Sequence, residues 1–202
     1  MKKKLCALLV GALLTMPLSG CTININANNV DKDTAIVSDL EKDIATDEEA
    51  KFVADYSNTE IPDFKMLNSD GKLISLKELK GNYIVYFART DCEWCDKALP
   101  QIQQLKDDGL RVVSIYRRNT VEEVKEHLTE LEFTFDELTL CGMSDPDNNN
   151  VLDLFDLPSV PTTLAVKDGV IVGIHIGTET DSDTAIVEMV TSSFKENGGV
   201  AE

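Results

Sequence analysis

The sequence predicts an α/β fold: a central mixed sheet flanked by helices, with an N-terminal β-hairpin extension. Three observations carry the prediction. Tyr83 to Ala88 ("YIVYFA") and Leu110 to Tyr116 ("LRVVSIY") are near-continuous apolar runs, as strands buried on both faces should be. Between them lies a helical pattern with Leu99, Ile102 and Leu105 on one face. Downstream, "TTLAV" and "VIVGIHIG" flank Lys167-Asp168-Gly169, which reads as an antiparallel hairpin. Parallel strands joined by helices and closed by a hairpin and a last helix make a small layered sandwich.

The chain begins "MKKKLCALLVGALLTMPLSGC". Lys2, Lys3 and Lys4 form a positive start, and Leu5 to Leu18 is apolar apart from Thr15 and Pro17. That run is short for a membrane span and suits an export signal. Leu18-Ser19-Gly20-Cys21 resembles the lipobox of bacterial lipoproteins. The resemblance implies a signal peptide over residues 1–20, cleavage before Cys21, and a diacylglyceryl group on that cysteine. Stable membrane attachment follows, since each buried methylene contributes about 0.8 kcal/mol. The expected location is the extracytoplasmic face of a bacterial cell membrane, where disulfides persist.

With 36 acidic against 19 basic residues the formal net charge is −17, and the removed segment carries three of the lysines. So acidic a surface argues against nucleic acid and against adhesion to anionic lipid. Residues 21–58 read as a lipidated tether. "TININANN" is a polar spacer. Asp31 to Tyr56 places Ile36, Leu40 and Ile44 at helical spacing, either a marginal helix or a solvated stalk; the stalk is the simpler expectation. Residues 59–202 form the globular domain.

Within that domain, "IPDFKMLNSDGKLISL" has two extended runs around Asn68-Ser69-Asp70-Gly71, a hairpin signal. Strand Tyr83 to Ala88 follows, then the helix behind Cys95, which Pro100 should kink and Asp108-Gly109 should end. After the second strand, Thr120 and Glu123 form a capping box for a helix with Val121, Val124 and Leu128 inward. Thr134 to Leu140 is ambiguous between loop and strand, Val151 to Phe155 suggests a short helix, and a last helix runs from about Thr184 to Phe194.

The chemistry concentrates in "RTDCEWCDKALP", where Cys92 and Cys95 bracket Glu93 and the chain's single tryptophan, Trp94. Such a pair can clip a metal, staple a loop or shuttle electrons. A closed zinc site wants four ligands, and no second CxxC exists. His127 on a helix and His175 in an apolar strand read as ordinary residues. A staple here is inefficient: a four-residue loop is worth about 2 kcal/mol, whereas closure to Cys141 would give about 4 kcal/mol. The redox reading has a mechanism. Cys92 follows a buried strand, and Cys95 lies in the first helical turn, where free amides and the helix dipole stabilise a thiolate. Cys92 is then the nucleophile and Cys95 the resolving partner.

From Ile61 to Ile102 the chain resembles thioredoxin-like proteins of the TlpA and ResA type. The shared features are a Pro-Asp-Phe opening, an Asp-Gly hairpin, Leu-x-x-Leu-Lys-Gly before the core strand, CxxC, and Leu-Pro in the next helix. "LPSVPTTLAVKDGVIVGIHIG" resembles the second signature of that family. The resemblance implies a thioredoxin-like fold and thiol–disulfide exchange with no cofactor beyond the Cys92–Cys95 couple. It makes Pro161 the cis-proline, with Val160 before it offering backbone groups to a substrate peptide. Implied partners are thiols and disulfides of exported proteins and a membrane thiol electron carrier; a monomer is expected. The chain departs from the pattern at three places. Trp94 stands where proline is usual before the second cysteine, Tyr86 where thioredoxins bury an acid, and Ala98 where some relatives carry glutamate.

Glu93, Asp91 and Asp96 should raise the Cys92 thiol pKa and Arg89 should lower it, which on balance favours a reducing couple. Reduction or isomerisation is the expectation; a disulfide-forming oxidase and a non-catalytic partner-binding lipoprotein are the alternatives. Trp94 suits a flat platform for substrate or a packing role. Peroxide reduction, as in peroxiredoxins, calls for a threonine three residues before the cysteine, and that position is Arg89. Cys141 reads as a small buried hydrophobe, with a third redox thiol as the alternative. "DPDNNNVLDLFD" spaces oxygens like a calcium loop but has Asn150 at the glycine position and Asp156 for the final glutamate, which fits a helix cap better.

Overall fold

The computed structural model describes residues 47–62, 65–68, 70–142, 156–177 and 184–197. The lipobox, Cys21, most of the tether, the calcium-like loop up to Phe155 and the short helix expected at Val151 to Phe155 lie outside them. The described elements are helix α1 (47–56), β1 (Lys65–Leu67), β2 (Leu73–Ser75), β3 (Asn82–Ala88), α2 (Glu93–Asp107), β4 (Arg111–Tyr116), α3 (Val121–Glu130), β5 (Thr139–Cys141), β6 (Thr162–Lys167), β7 (Val170–Ile176) and α4 (Ala185–Glu196).

The sheet order is β5-β4-β3-β6-β7. β3 and β4 pair in parallel, as do β4 and β5, whereas β6 runs antiparallel to both β3 and β7. The ambiguous stretch before Cys141 resolves as a short strand at the sheet edge, starting only at Thr139. The β1–β2 hairpin forms a separate two-stranded sheet. Asn68 organises its turn: the side-chain oxygen accepts from the amides of Asp70 and Lys72, while the side-chain nitrogen donates to the Glu137 carbonyl at 2.9 Å.

β3 reads as a continuous apolar run because both of its faces are covered. Ile84, Tyr86 and Ala88 meet α2, α3 and α4 through Leu99, Ile102, Leu128 and Val190. Tyr83, Val85 and Phe87 meet Phe52, Ile61, Met66 and Leu76 on the opposite face. At the C-terminal end of the stretch read as a tether, the helical alternative is the one found, and the helix packs against the sheet. Residues 47–56 are helical, and Phe52 is only 3% exposed within that second core. The next residues bond along the free edge of β7, through Asn58 N–H to Ile171 O and Ile61 N–H to Gly169 O, both 2.8 Å. An otherwise open strand edge is thereby blocked.

The capping box of α3 forms as the sequence predicts, with Thr120 accepting from the Glu123 amide and Glu123 accepting from the Thr120 amide. At the N-terminus of α4 the Thr184 side chain makes no cap bond. Buried Gln101 of α2 supplies one, its side-chain oxygen accepting from the amide of Ile186 at 2.8 Å.

Candidate active site

β3, β4 and β5 all end at one edge of the sheet, with Ala88 opposite Tyr116 and Tyr116 opposite Cys141. Segments leaving the carboxyl ends of parallel strands collect there. Cys92 follows β3 as the N-cap of α2, in extended backbone, and its sulfur accepts from the Cys95 amide at 3.2 Å. Cys92 and Cys95 form a disulfide with their Cα atoms 5.2 Å apart. Cys95 is 2% exposed, whereas Cys92 is only partly buried, so the first sulfur is the one a substrate can reach.

The Val160–Pro161 peptide bond is cis. The Val160 carbonyl oxygen lies 3.7 Å from the Cys92 sulfur, across 68 residues of sequence. This loop is fastened at both ends. Thr162 donates its hydroxyl to Ser159 O at 2.8 Å, and Gly177, at φ 80°, donates its amide to Pro161 O at 2.8 Å. Trp94 is 43% exposed beside the disulfide, and Lys97 Nζ sits 4.1 Å from its ring centroid.

The acids around the disulfide are not bare charges. Glu93 pairs with Lys97 at 2.8 Å, Asp91 with Arg89 Nε at 2.8 Å, and Asp96 with His127 Nε2 at 2.8 Å. Lys97 holds the Glu93 carboxyl below the usual glutamate range. The sequence argument counted these carboxylates as free to oppose a thiolate; each instead has a cation-bearing or imidazole partner. His127, read from the sequence as an ordinary helix residue, is instead the partner of Asp96, since its position three to four residues behind Val124 and Glu123 on α3 faces it toward α2.

Tyr86 occupies the position where thioredoxins bury an acid. It is fully buried, and its hydroxyl donates to the Cys95 carbonyl at 2.9 Å. Burial, then Tyr116 and Asp96, push its pKa well above the ordinary phenol value, so it stays neutral. Cys141 is fully buried next to Tyr116. Burial, with Glu122 and Glu123 adding to it, pushes its thiol up to about 12.

Sequence reasoning also missed how the loops are joined. Asn119, after β4, donates to the Thr90 hydroxyl at 2.7 Å and accepts from the Thr90 amide at 3.2 Å. The parallel order of β3 and β4 was the available signal, because it puts both loop starts at one edge. Among the described residues, no cluster of His, Cys, Asp and Glu is able to hold a metal ion, and no helix is long and apolar enough to cross a membrane.

Comparison with known proteins agrees with this geometry. The chain is 28% identical over 130 residues to the thiol-disulfide oxidoreductase ResA of Bacillus subtilis, covering 61% of this chain and 69% of that one. Among solved structures, a putative thiol:disulfide interchange protein DsbE from Chlorobium tepidum superposes with a TM-score of 0.55 at 18% identity, covering 68% of this chain and 96% of that one. A putative protein disulfide isomerase from Bacteroides thetaiotaomicron gives a TM-score of 0.57 at 20% identity, covering 70% and 92%. These likenesses establish the thioredoxin-like fold. The profile of the AhpC/TSA family matches residues 57–174, from the end of α1 into β7, and the chain belongs to that family.

Proposed function

We propose that the chain is a membrane-anchored, extracytoplasmic thiol–disulfide oxidoreductase that reduces or isomerises disulfides of exported proteins. The observation that carries the reading is the Cys92–Cys95 disulfide at the start of α2, with the Cys92 sulfur 3.7 Å from Val160 O. The similarity to ResA supports the same chemistry. The lipobox-like Leu18 to Cys21 supports attachment through Cys21.

In the reduced protein the N-terminal turn of α2, whose Cys95 amide already points at the Cys92 sulfur, stabilises a Cys92 thiolate. It attacks one sulfur of a substrate disulfide. The substrate S–S bond breaks, a Cys92–substrate disulfide forms, and the departing substrate sulfur takes a proton. Cys95 loses its proton and attacks the Cys92 sulfur, which releases the second substrate thiol and closes Cys92–Cys95. Two electrons pass to the substrate. A reduced thiol carrier at the membrane restores the dithiol by the reverse exchange.

Val160 and Pro161 hold the substrate backbone beside Cys92, and Trp94 offers it an apolar surface. Reduction is the favoured direction because Cys95 is buried against the Tyr86 side of the core. A disulfide sulfur carries no S–H that needs a partner, so it sits in that apolar surround at less cost than a thiol, and the oxidised form is stabilised.

The test is insulin reduction with the wild type and with Cys92→Ser. Loss of turnover in the variant supports the reading; equal turnover in both makes the chain a partner-binding module instead. Cys95→Ala should trap mixed disulfides in cells, and their identities name the substrates. Globomycin-sensitive processing and membrane recovery lost in Cys21→Ala would support the anchor.

A further inference from the structure

Beside the Val160–Pro161 loop is a cavity of about 180 Å³ lined by Arg89, Arg117, Arg118 and the segment Leu157 to Val160. Its composition is unlike that of the rest of the chain. The sequence has four arginines and fifteen lysines, and three of the four arginines line this one cavity while none of the lysines does. Among the described residues no acidic side chain is in its lining, although acids outnumber bases by 36 to 19 in the sequence.

The arginines come from two separate strand ends. Arg89 immediately follows β3, and Arg117 and Arg118 form the turn after β4. The Asn119–Thr90 hydrogen bonds lock these two segments together, so the guanidinium groups converge on a fixed framework. Arg89 is held by Asp91 through Nε, which engages one of the five donors of its guanidinium. Arg117 is partly buried and Arg118 is exposed. Guanidinium is the side chain suited to planar, two-point recognition of a carboxylate, which an ammonium does not offer.

The cavity shares Val160 with the catalytic geometry. That residue lines it and also puts its carbonyl oxygen 3.7 Å from the Cys92 sulfur. A peptide joined through its cysteine to Cys92 and lying along Val160 therefore carries a neighbouring side chain into the arginines. We propose that this cavity is a specificity subsite for an acidic side chain, Asp or Glu, within two residues of the substrate cysteine. The inference rests on the thiol–disulfide exchange reading above and names its substrate class. It also gives an acidic protein a local means of attracting acidic partners that its overall charge repels.

The experiment uses disulfide-bonded peptides, acetylated and amidated at their ends, that carry either Glu or Gln beside one cysteine, on either side of it. Single-turnover reduction by the pre-reduced protein gives the ratio of second-order rate constants, Glu over Gln. A ratio of about ten is expected, falling toward one as ionic strength rises from about 0.01 M to about 1 M. Arg117→Gln and Arg118→Gln should each bring the low-salt ratio down several-fold, and Arg118→Lys should leave it in between. Because each variant is read against its own Gln peptide, a general loss of folding or of thiol reactivity does not move the ratio. A wild-type ratio near one, or a ratio unchanged in both glutamine variants, overturns the subsite while leaving the exchange chemistry standing. Failure to reduce either peptide overturns the exchange reading and the subsite with it.

Discussion

The hydroxyl of Tyr86 in β3 donates to the backbone carbonyl of Cys95 in α2, 2.9 Å away and fully buried. A neutral donor thus ties the core strand to the helix turn that carries Cys95. Tyr86→Phe keeps the ring and loses that bond, and should cost about 1 kcal/mol of stability. Chemical denaturation of the oxidised protein measures it. A change much below that, with an unaltered equilibrium against dithiothreitol, would show that the bond neither stabilises the fold nor affects the couple.

Cys141 should be chemically silent in the folded protein. Its thiol is fully buried and pushed up to about 12, above the ordinary cysteine value, so at pH 8 it is overwhelmingly protonated. The sign is that reactivity rises only as pH climbs toward that value. Iodoacetamide labelling read by mass spectrometry should modify Cys92 first in the reduced protein and leave Cys141 unmodified until denaturant is added. Rapid native labelling of Cys141 would make it a third redox thiol.

Lys97 holds Glu93 and covers Trp94 at once. Lys97→Gln should release a carboxylate next to Cys92, at the helix N-terminus, and raise the Cys92 thiol pKa. Thiolate absorbance at 240 nm against pH measures the shift. A fall instead of a rise would mean that Glu93 does not act on the sulfur.

The helix before the domain boundary should matter to stability. Phe52→Ala removes a buried ring from the second core and should cost about 3 kcal/mol. Thermal melts of chains beginning at residue 41 and at residue 59 should separate in the same direction. Coincident melts would return residues 47–56 to the role of tether.

At α3, Thr120→Ala removes the N-cap and should cost about 1 kcal/mol. The amide of Thr120, then the side chain of Asn119, hold Glu123 below the usual glutamate range. Its folded value is depressed, so its contribution is present above the unfolded value and is lost as pH falls through the folded one. Urea titrations of wild type and Glu123→Gln should therefore differ at neutral pH and converge in acid.

Strand periodicity, the capping box and the CxxC–helix junction were legible because each is written locally. β3 announced its double burial by having no polar face, and Thr120 and Glu123 announced α3 by their spacing. Three features were not legible. The cover provided by Phe52 depends on one aromatic in an acidic stretch whose periodicity is weak. The partners of Glu93, Asp91 and Asp96 depend on side-chain reach, and His127 sits 31 residues from Asp96. The arginine cavity depends on two strand ends meeting, which the order of strands implies but no single window of sequence contains.

The two hydrogen bonds that join Thr90 to Asn119 link amide and hydroxyl groups, neither of them charged, while the same Asn119 nitrogen also reaches the Glu123 carboxylate at 3.4 Å. Ionic clasps loosen when acidity or salt changes. A clasp without charge keeps the two loops in register through such swings, so the electron-transferring end of the molecule can stay in shape while the charges around it come and go.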